Sequence, residues 1–189
     1  MTHLRNVFVC LMLAMLVGPF GAEPPDPIFG RDAAATALDD LVSNAEKLVT
    51  GVAREMPEGK YTFAPTAGEF RGVRTFARQL KHVAAVQYLV AFTILGEPVT
   101  ADMAMEQGPD SVRTKDEVVA YVDGSFAALH RAAATVDAAN AFAPIKDPTG
   151  SGSRTRVTLI AGALAHSSNH YGQMVEYLRM NGIVPPASR

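Results

Sequence analysis

The chain has 189 residues, 48% of them hydrophobic and 19% charged, with a formal net charge of −2. That length supports one domain with a sizeable core and is short for two. The near-neutral balance leaves no basic footprint for nucleic acid, and a single cysteine, Cys10, excludes a disulfide scaffold.

Arg5 precedes an apolar run from Val7 to Val17, which leads into Gly18-Pro19-Phe20-Gly21-Ala22. A basic start, a short apolar stretch and small residues form the pattern of a secretory signal peptide, which places the mature protein outside the cytoplasm, secreted or periplasmic. Residues 1–22 are read as that signal, with cleavage expected after Ala22; Phe20, where a smaller residue is usual, leaves an uncleaved anchor as the alternative. The run is too short for a good membrane span, so no stable membrane insertion is expected after cleavage. Cleavage removes His3, Cys10 and one basic residue, Arg5, but no acidic one, which moves the net charge from −2 to −3. The proline-rich residues 23–31 read as a flexible lead-in. The domain proper is expected over 32–189.

Four segments carry helical periodicity. The first runs from about Asp32 to Arg54, with Leu38, Leu41, Ala45, Leu48, Val49 and Val52 on a broad apolar face, and Met56-Pro57-Glu58-Gly59 ends it. The second spans about Phe70 to Leu95, through Val73, Phe76, Leu80, Val83, Val86, Val90 and Ile94, and stops at Gly96-Glu97-Pro98. The third begins at Thr114, where Thr-Lys-Asp-Glu has the form of a capping box. It continues through Val118, Val122, Phe126, Leu129 and Val136. A Pro/Gly/Ser stretch from Pro144 to Ser153 leads to the fourth, about Thr155 to Asn181, with Gly182 as its stop. No alternating pattern is long enough to defend a sheet. The fold class predicted is all-α, a four-helix bundle.

His166 and His170 lie four apart on the fourth segment, which puts both imidazoles on one helical face about 40° apart, where they can share a metal ion. Gln173 and Tyr177 fall on the same stripe and are candidates for orienting a ligand or water. A third ligand is needed, and His82, on the apolar-periodic second segment, is the candidate. Three neutral nitrogens with an open position suit a divalent ion, and imidazole accepts zinc, nickel or iron. Such pairs also occur on helices that bind nothing; three histidines on two inward-looking faces favour ligation. His130, beside Arg131 and away from this stripe, reads as solvated. The zincin pattern is absent, because Ser167-Ser168-Asn169 offers no glutamate between the histidines.

The stretch His166-x-x-x-His170-Tyr171-Gly172-Gln173, continued by Tyr177-Leu178-Arg179 and Gly182-x-x-Pro185-Pro186, resembles the last helix and tail of the DinB-like superfamily of metal-binding four-helix bundles. Thr75-Phe76-Ala77-Arg78-Gln79-Leu80-Lys81-His82 resembles that family's second helix, and Tyr61-Thr62-Phe63-Ala64-Pro65 the loop ahead of it. The resemblance implies an up-down-down-up bundle with a long crossing between helices two and three. It also implies a divalent ion held by His82, His166 and His170, and frequent homodimerisation. Members of understood chemistry include thiol-dependent transferases and isomerases whose thiol cofactors are cytosolic, which does not suit an exported chain. Three functions stay open. The protein is a hydrolase or transferase activating water or a small nucleophile, a metal- or small-molecule-binding module without turnover, or a structural bundle that binds no metal.

Overall fold

The computed structural model describes residues 33–150 and 152–189. The signal segment, 1–22, and the lead-in, 23–31, lie outside them. The described residues are mostly helical: α1 (Ala33–Glu55), α2 (Phe76–Leu95), the single turn α3 (Ala101–Ala104), α4 (Lys115–Ala134) and α5 (Arg156–Met180). No helix among them is long and apolar enough to cross a membrane.

Helix boundaries follow local chemistry. At Thr114 the hydroxyl accepts from the amide of Glu117 while the Glu117 carboxylate accepts from the Thr114 amide, the reciprocal box expected from the sequence. Thr155 and Thr158 make the same exchange at the start of α5. α2 closes at Gly96, whose left-handed backbone (φ 69°) is open to glycine at no steric cost. The start of α2 departs from expectation. The helix begins at Phe76 after an N-cap at Thr75, not near Phe70. Gly68 and Gly72 adopt φ of 108° and 80°, which no right-handed helix admits, and Phe70 and Val73, each 40% exposed, do not extend the apolar face. Their spacing from Phe76 matched a helical period by coincidence.

The connection between α4 and α5 also holds more order than its composition suggested. Strands β1 (Pro144–Lys146) and β2 (Ser153–Thr155) pair antiparallel, with Ile145 opposite Arg154. Three residues per strand are too few to produce a readable alternation.

α1 and α2 each pack against both α4 and α5. The ends that meet are marked by polar contacts. Arg54, late in α1, pairs with Asp123 of α4, and Lys115 donates to the carbonyls of Arg54 and Met56. Gln79 near the start of α2 donates to Gln173 near the end of α5. Lys81 of α2 donates to the Val112 carbonyl just before α4, while Glu97, past the end of α2, pairs with Arg131 late in α4. The connection from Gly96 to Thr114 therefore returns along α2 to its starting end.

Between the helices lies a core that includes Phe76, Leu80, Phe126, Leu129, Ile160 and Leu178, all fully buried. Each such side chain contributes about 1.5–3 kcal/mol by leaving water. Within this apolar interior sits one polar junction. Gln87, Ser125 and Ser167, each 0% exposed, join α2, α4 and α5. Ser125 donates to Gln87 Oε1 (2.6 Å), and Gln87 Nε2 donates to Ser167 Oγ (3.0 Å), which in turn donates to the Ala163 carbonyl. Every member has a partner, which is the condition for burying such groups without a large penalty.

His130 is not solvated as expected. Its Nδ1 meets Asp39 and its Nε2 meets Glu46, both on α1, and its side chain is only 26% exposed. Burial disfavours the charged ring, but the hydrogen bonds to Asp39 and Glu46 outweigh it and raise the pKa above the usual histidine value. A raised folded-state pKa makes the stabilisation complete below the unfolded value, near pH 6.5, and removes it as pH climbs past the folded value. His130→Ala is expected to cost about 0.5–1 kcal/mol near pH 5.5 and much less near pH 9 in urea melts. An equal gap at both pH values would refute this assignment.

Candidate metal centre

His82 lies in the second turn of α2, and His166 and His170 lie one turn apart on α5. The α2·α5 packing brings the three together, with one nitrogen from each ring within 4.8 Å of the others. His166 Nε2 is 2.9 Å from His82 Nε2 and 3.1 Å from His170 Nε2. His82 and His170 are 9% and 8% exposed, so the cluster lies at the margin of the core as the helical stripe predicted.

The outward nitrogens decide which form the rings take. His82 Nδ1 faces the main-chain carbonyl of Glu106, an acceptor only, so it carries a proton. His170 Nδ1 faces Gln79 Oε1, whose amide nitrogen is directed to Gln173 Oε1 at 2.8 Å, so it too donates. In the neutral rings both Nε2 atoms are then bare lone pairs aimed at His166. His166 can answer only one of them with a proton, and its Nδ1 is buried without a partner among the described residues. The three rings would hold a cation through their Nε2 lone pairs, the His166 proton then sitting on Nδ1. Bonds of about 2.0–2.1 Å to a tetrahedral ion would separate nitrogens by roughly 3.3 Å, and the two Nε2 separations from His166 are 2.9 and 3.1 Å. The donor set fits a divalent ion.

Electrostatics favour the same state. Burial first, then the neighbouring imidazoles and Arg74, push His166 and His170 down to about 4, and burial lowers His82 as well. The rings are therefore neutral at physiological pH, so an ion would not have to compete with an imidazolium proton for them.

Groups around the trio hold it in place. Gln79, 2% exposed, fixes His170 and is itself held by Gln173, whose amide nitrogen donates to Asn169. Gln173, a candidate for orienting a ligand, instead acts through Gln79. Tyr177 is 5% exposed and donates to the Arg74 carbonyl at 3.0 Å. Glu106 and Arg74 were not among the sequence candidates. The Glu106 carboxylate pairs with Arg74 while its carbonyl holds His82. No motif marks Glu106, because it reaches the site only through the returning connection; its chain neighbourhood is polar and without period. A separate cleft of about 650 Å³ opens between α1 and α5, lined by Asn44, Lys47, Leu48, Tyr171 and the C-terminal residues, and no histidine lines it.

Together, a helical fold and three converging imidazoles define a helical protein equipped to hold a divalent ion. The chain belongs to the DinB superfamily, whose family profile matches residues 41–174. Comparison with curated proteins gave no match.

Proposed function

We propose that this is an exported, divalent-metal-binding member of the DinB superfamily, a hydrolase or transferase that uses His82, His166 and His170 to hold zinc, nickel or iron. The observation that carries the reading is the meeting of three Nε2 atoms, with the outward partners of His82 and His170 turning the lone pairs of those two rings toward His166. When bound, a three-nitrogen ion with an open position supplies Lewis-acid activation of water or another small nucleophile. The protein's own residues do the positioning: Glu106 and Gln79 set the tautomers, and Tyr177 anchors Arg74 beside the site.

One observation favours a second reading, a metal- or small-molecule-binding module without turnover. The nearby carboxylate, Glu106, is engaged with Arg74 and is not free to act as a general base. The end-to-end contacts of the helices support an up-down-down-up four-helix bundle over 32–189, behind a lead-in at 23–31 and a signal at 1–22. Family membership supports a homodimer.

A single preparation tests these points. Protein purified from its native compartment is expected to lack residues 1–22 by intact mass, to contain one divalent ion per chain, and to elute as a dimer by light scattering. Cobalt-substituted protein is expected to change its visible spectrum on adding azide, the sign of an open coordination position. No stoichiometric metal would defeat the metal reading; a cobalt spectrum indifferent to azide would leave the module and defeat the enzyme.

A further inference from the structure

Helix α1 carries a second row of residues besides the one it buries. Leu38, Val42, Val49 and Val52 face the core. Ala37, Leu41, Asn44, Leu48 and Gly51 follow one another at spacings of four, three, four and three, the a and d repeat of a coiled coil, on an adjoining face. Ala37, Leu41 and Asn44 are exposed, Leu41 at 53%, while Leu48 and Gly51 are half-buried. A single exposed leucine is ordinary on a protein surface. Here the leucine belongs to a heptad-spaced row that borders a concavity. Asn44, Lys47 and Leu48 form the α1 wall of the cleft of about 650 Å³, Tyr171 stands on its α5 side, and Pro186 of the tail lies over Gly51, 3.7 Å from where a Cβ would stand.

The charges beside the row identify what it fits. Asp40 and Lys47 flank it, seven residues apart and both exposed, and neither forms an ion pair with another of the described residues. In heptad terms both are g positions, the ones that choose partner and orientation. Their pattern is self-complementary in one orientation only. Two copies of α1 running antiparallel about a twofold axis set Asp40 of each opposite Lys47 of the other, whereas a parallel pair in register sets like charge against like. The same antiparallel register brings Leu41 level with Asn44 of the second copy, and Ala37 level with its Leu48. Each exposed leucine then lands against the Asn44, Lys47 and Leu48 wall of the other copy's cleft. The row from Ala37 to Gly51 is about 21 Å long at 1.5 Å per residue.

We propose that this face of α1, with the cleft beside it, is an isologous surface for a second copy of this chain, the two α1 helices lying antiparallel along the row from Ala37 to Gly51. This rests on the homodimer reading above and names its interface. Asn44, near the axis, is the polar residue at a heptad position that fixes one register at some cost in stability. None of His82, His166 and His170 lines the cleft, so each copy keeps its own candidate centre.

Sedimentation equilibrium over a range of protein concentrations tests this. The parent is expected to dimerise, and Leu41→Glu to raise the dimer dissociation constant by at least about a hundredfold while the helical circular dichroism signal matches the parent. Asp40→Lys and Lys47→Asp, each alone, are expected to weaken the dimer by about tenfold or more. The double variant Asp40→Lys/Lys47→Asp is expected to return to within about threefold of the parent, because reversing both charges restores the pairs across the axis. A dimer unmoved by Leu41→Glu, or a double variant no tighter than the single ones, would overturn the proposal and leave the row to residues 23–31 or to a different protein. Failure of the underlying homodimer reading looks different: the parent stays monomeric at every concentration.

Discussion

Replacing His170 with alanine is expected to lower zinc affinity by roughly a hundred- to a thousandfold while the helical circular dichroism signal persists. A structural zinc site held by four ligands has an apparent binding free energy of about 10–16 kcal/mol. An equal share per ligand is about 3 kcal/mol, or two to three decades in affinity. His82→Ala and His166→Ala should fall in the same range, because the Nε2 atoms of His82 and His170 both meet that of His166. Gln79→Leu provides the graded control. It removes the acceptor that sets the His170 tautomer but leaves the three ligands, and such a change costs about 10–100-fold. Competition with a chromogenic chelator measures all four. Affinities for the three alanine variants within a factor of a few of the parent would mean that the trio is packing, not ligation.

Gly108→Val is expected to damage stability and metal affinity together. Gly108 has φ of 67°, a conformation costing a branched side chain on the order of 1–2 kcal/mol. A Cβ at this position would lie 2.7 Å from Lys81 Cβ and 3.1 Å from the Lys81 carbonyl oxygen. The first clash is with a helix side chain close to the backbone and the second with the backbone itself, so neither yields cheaply. The returning segment must lift away from α2, carrying with it the Glu106 carbonyl that holds His82. A loss of about 2–3 kcal/mol in urea unfolding of the metal-free protein is expected, accompanied by a fall in zinc affinity of about tenfold or more. A variant as stable as the parent, or one destabilised with zinc affinity intact, would show that this segment does not brace the site.

The sequence made the helices legible where caps and apolar period agreed. Thr114 with Glu117 marked the start of α4 to the residue, and the stops at Gly96 and Gly182 end α2 and α5 where expected. It failed where an apolar spacing continued across glycines, as at Phe70 and Val73, since periodicity is blind to φ. The hairpin at Pro144–Thr155 left no trace because its strands are three residues long. At the site, the four-residue spacing of His166 and His170 is a local property of one helix and could be read directly. Their meeting with His82 is tertiary, and composition supplied only a candidate. Glu106 and Arg74 were invisible because their roles depend on a main-chain carbonyl and on the path of a connection, neither of which has a residue-type signature. His130 misled for a related reason: its partners, Asp39 and Glu46, lie on a helix more than eighty residues earlier.

Ser167 follows His166 directly, and its hydroxyl is joined through Gln87 to Ser125, three helices meeting at one buried junction. Apolar side chains of similar size would fill that space and tolerate a small roll or slide of α5; a hydrogen-bonded serine does not. Anyone grafting the three histidines onto an unrelated scaffold would therefore carry over the ligands without the device that clocks the helix bearing two of them. The transplantable unit is larger than the three histidines and takes in Ser125, Gln87 and Ser167.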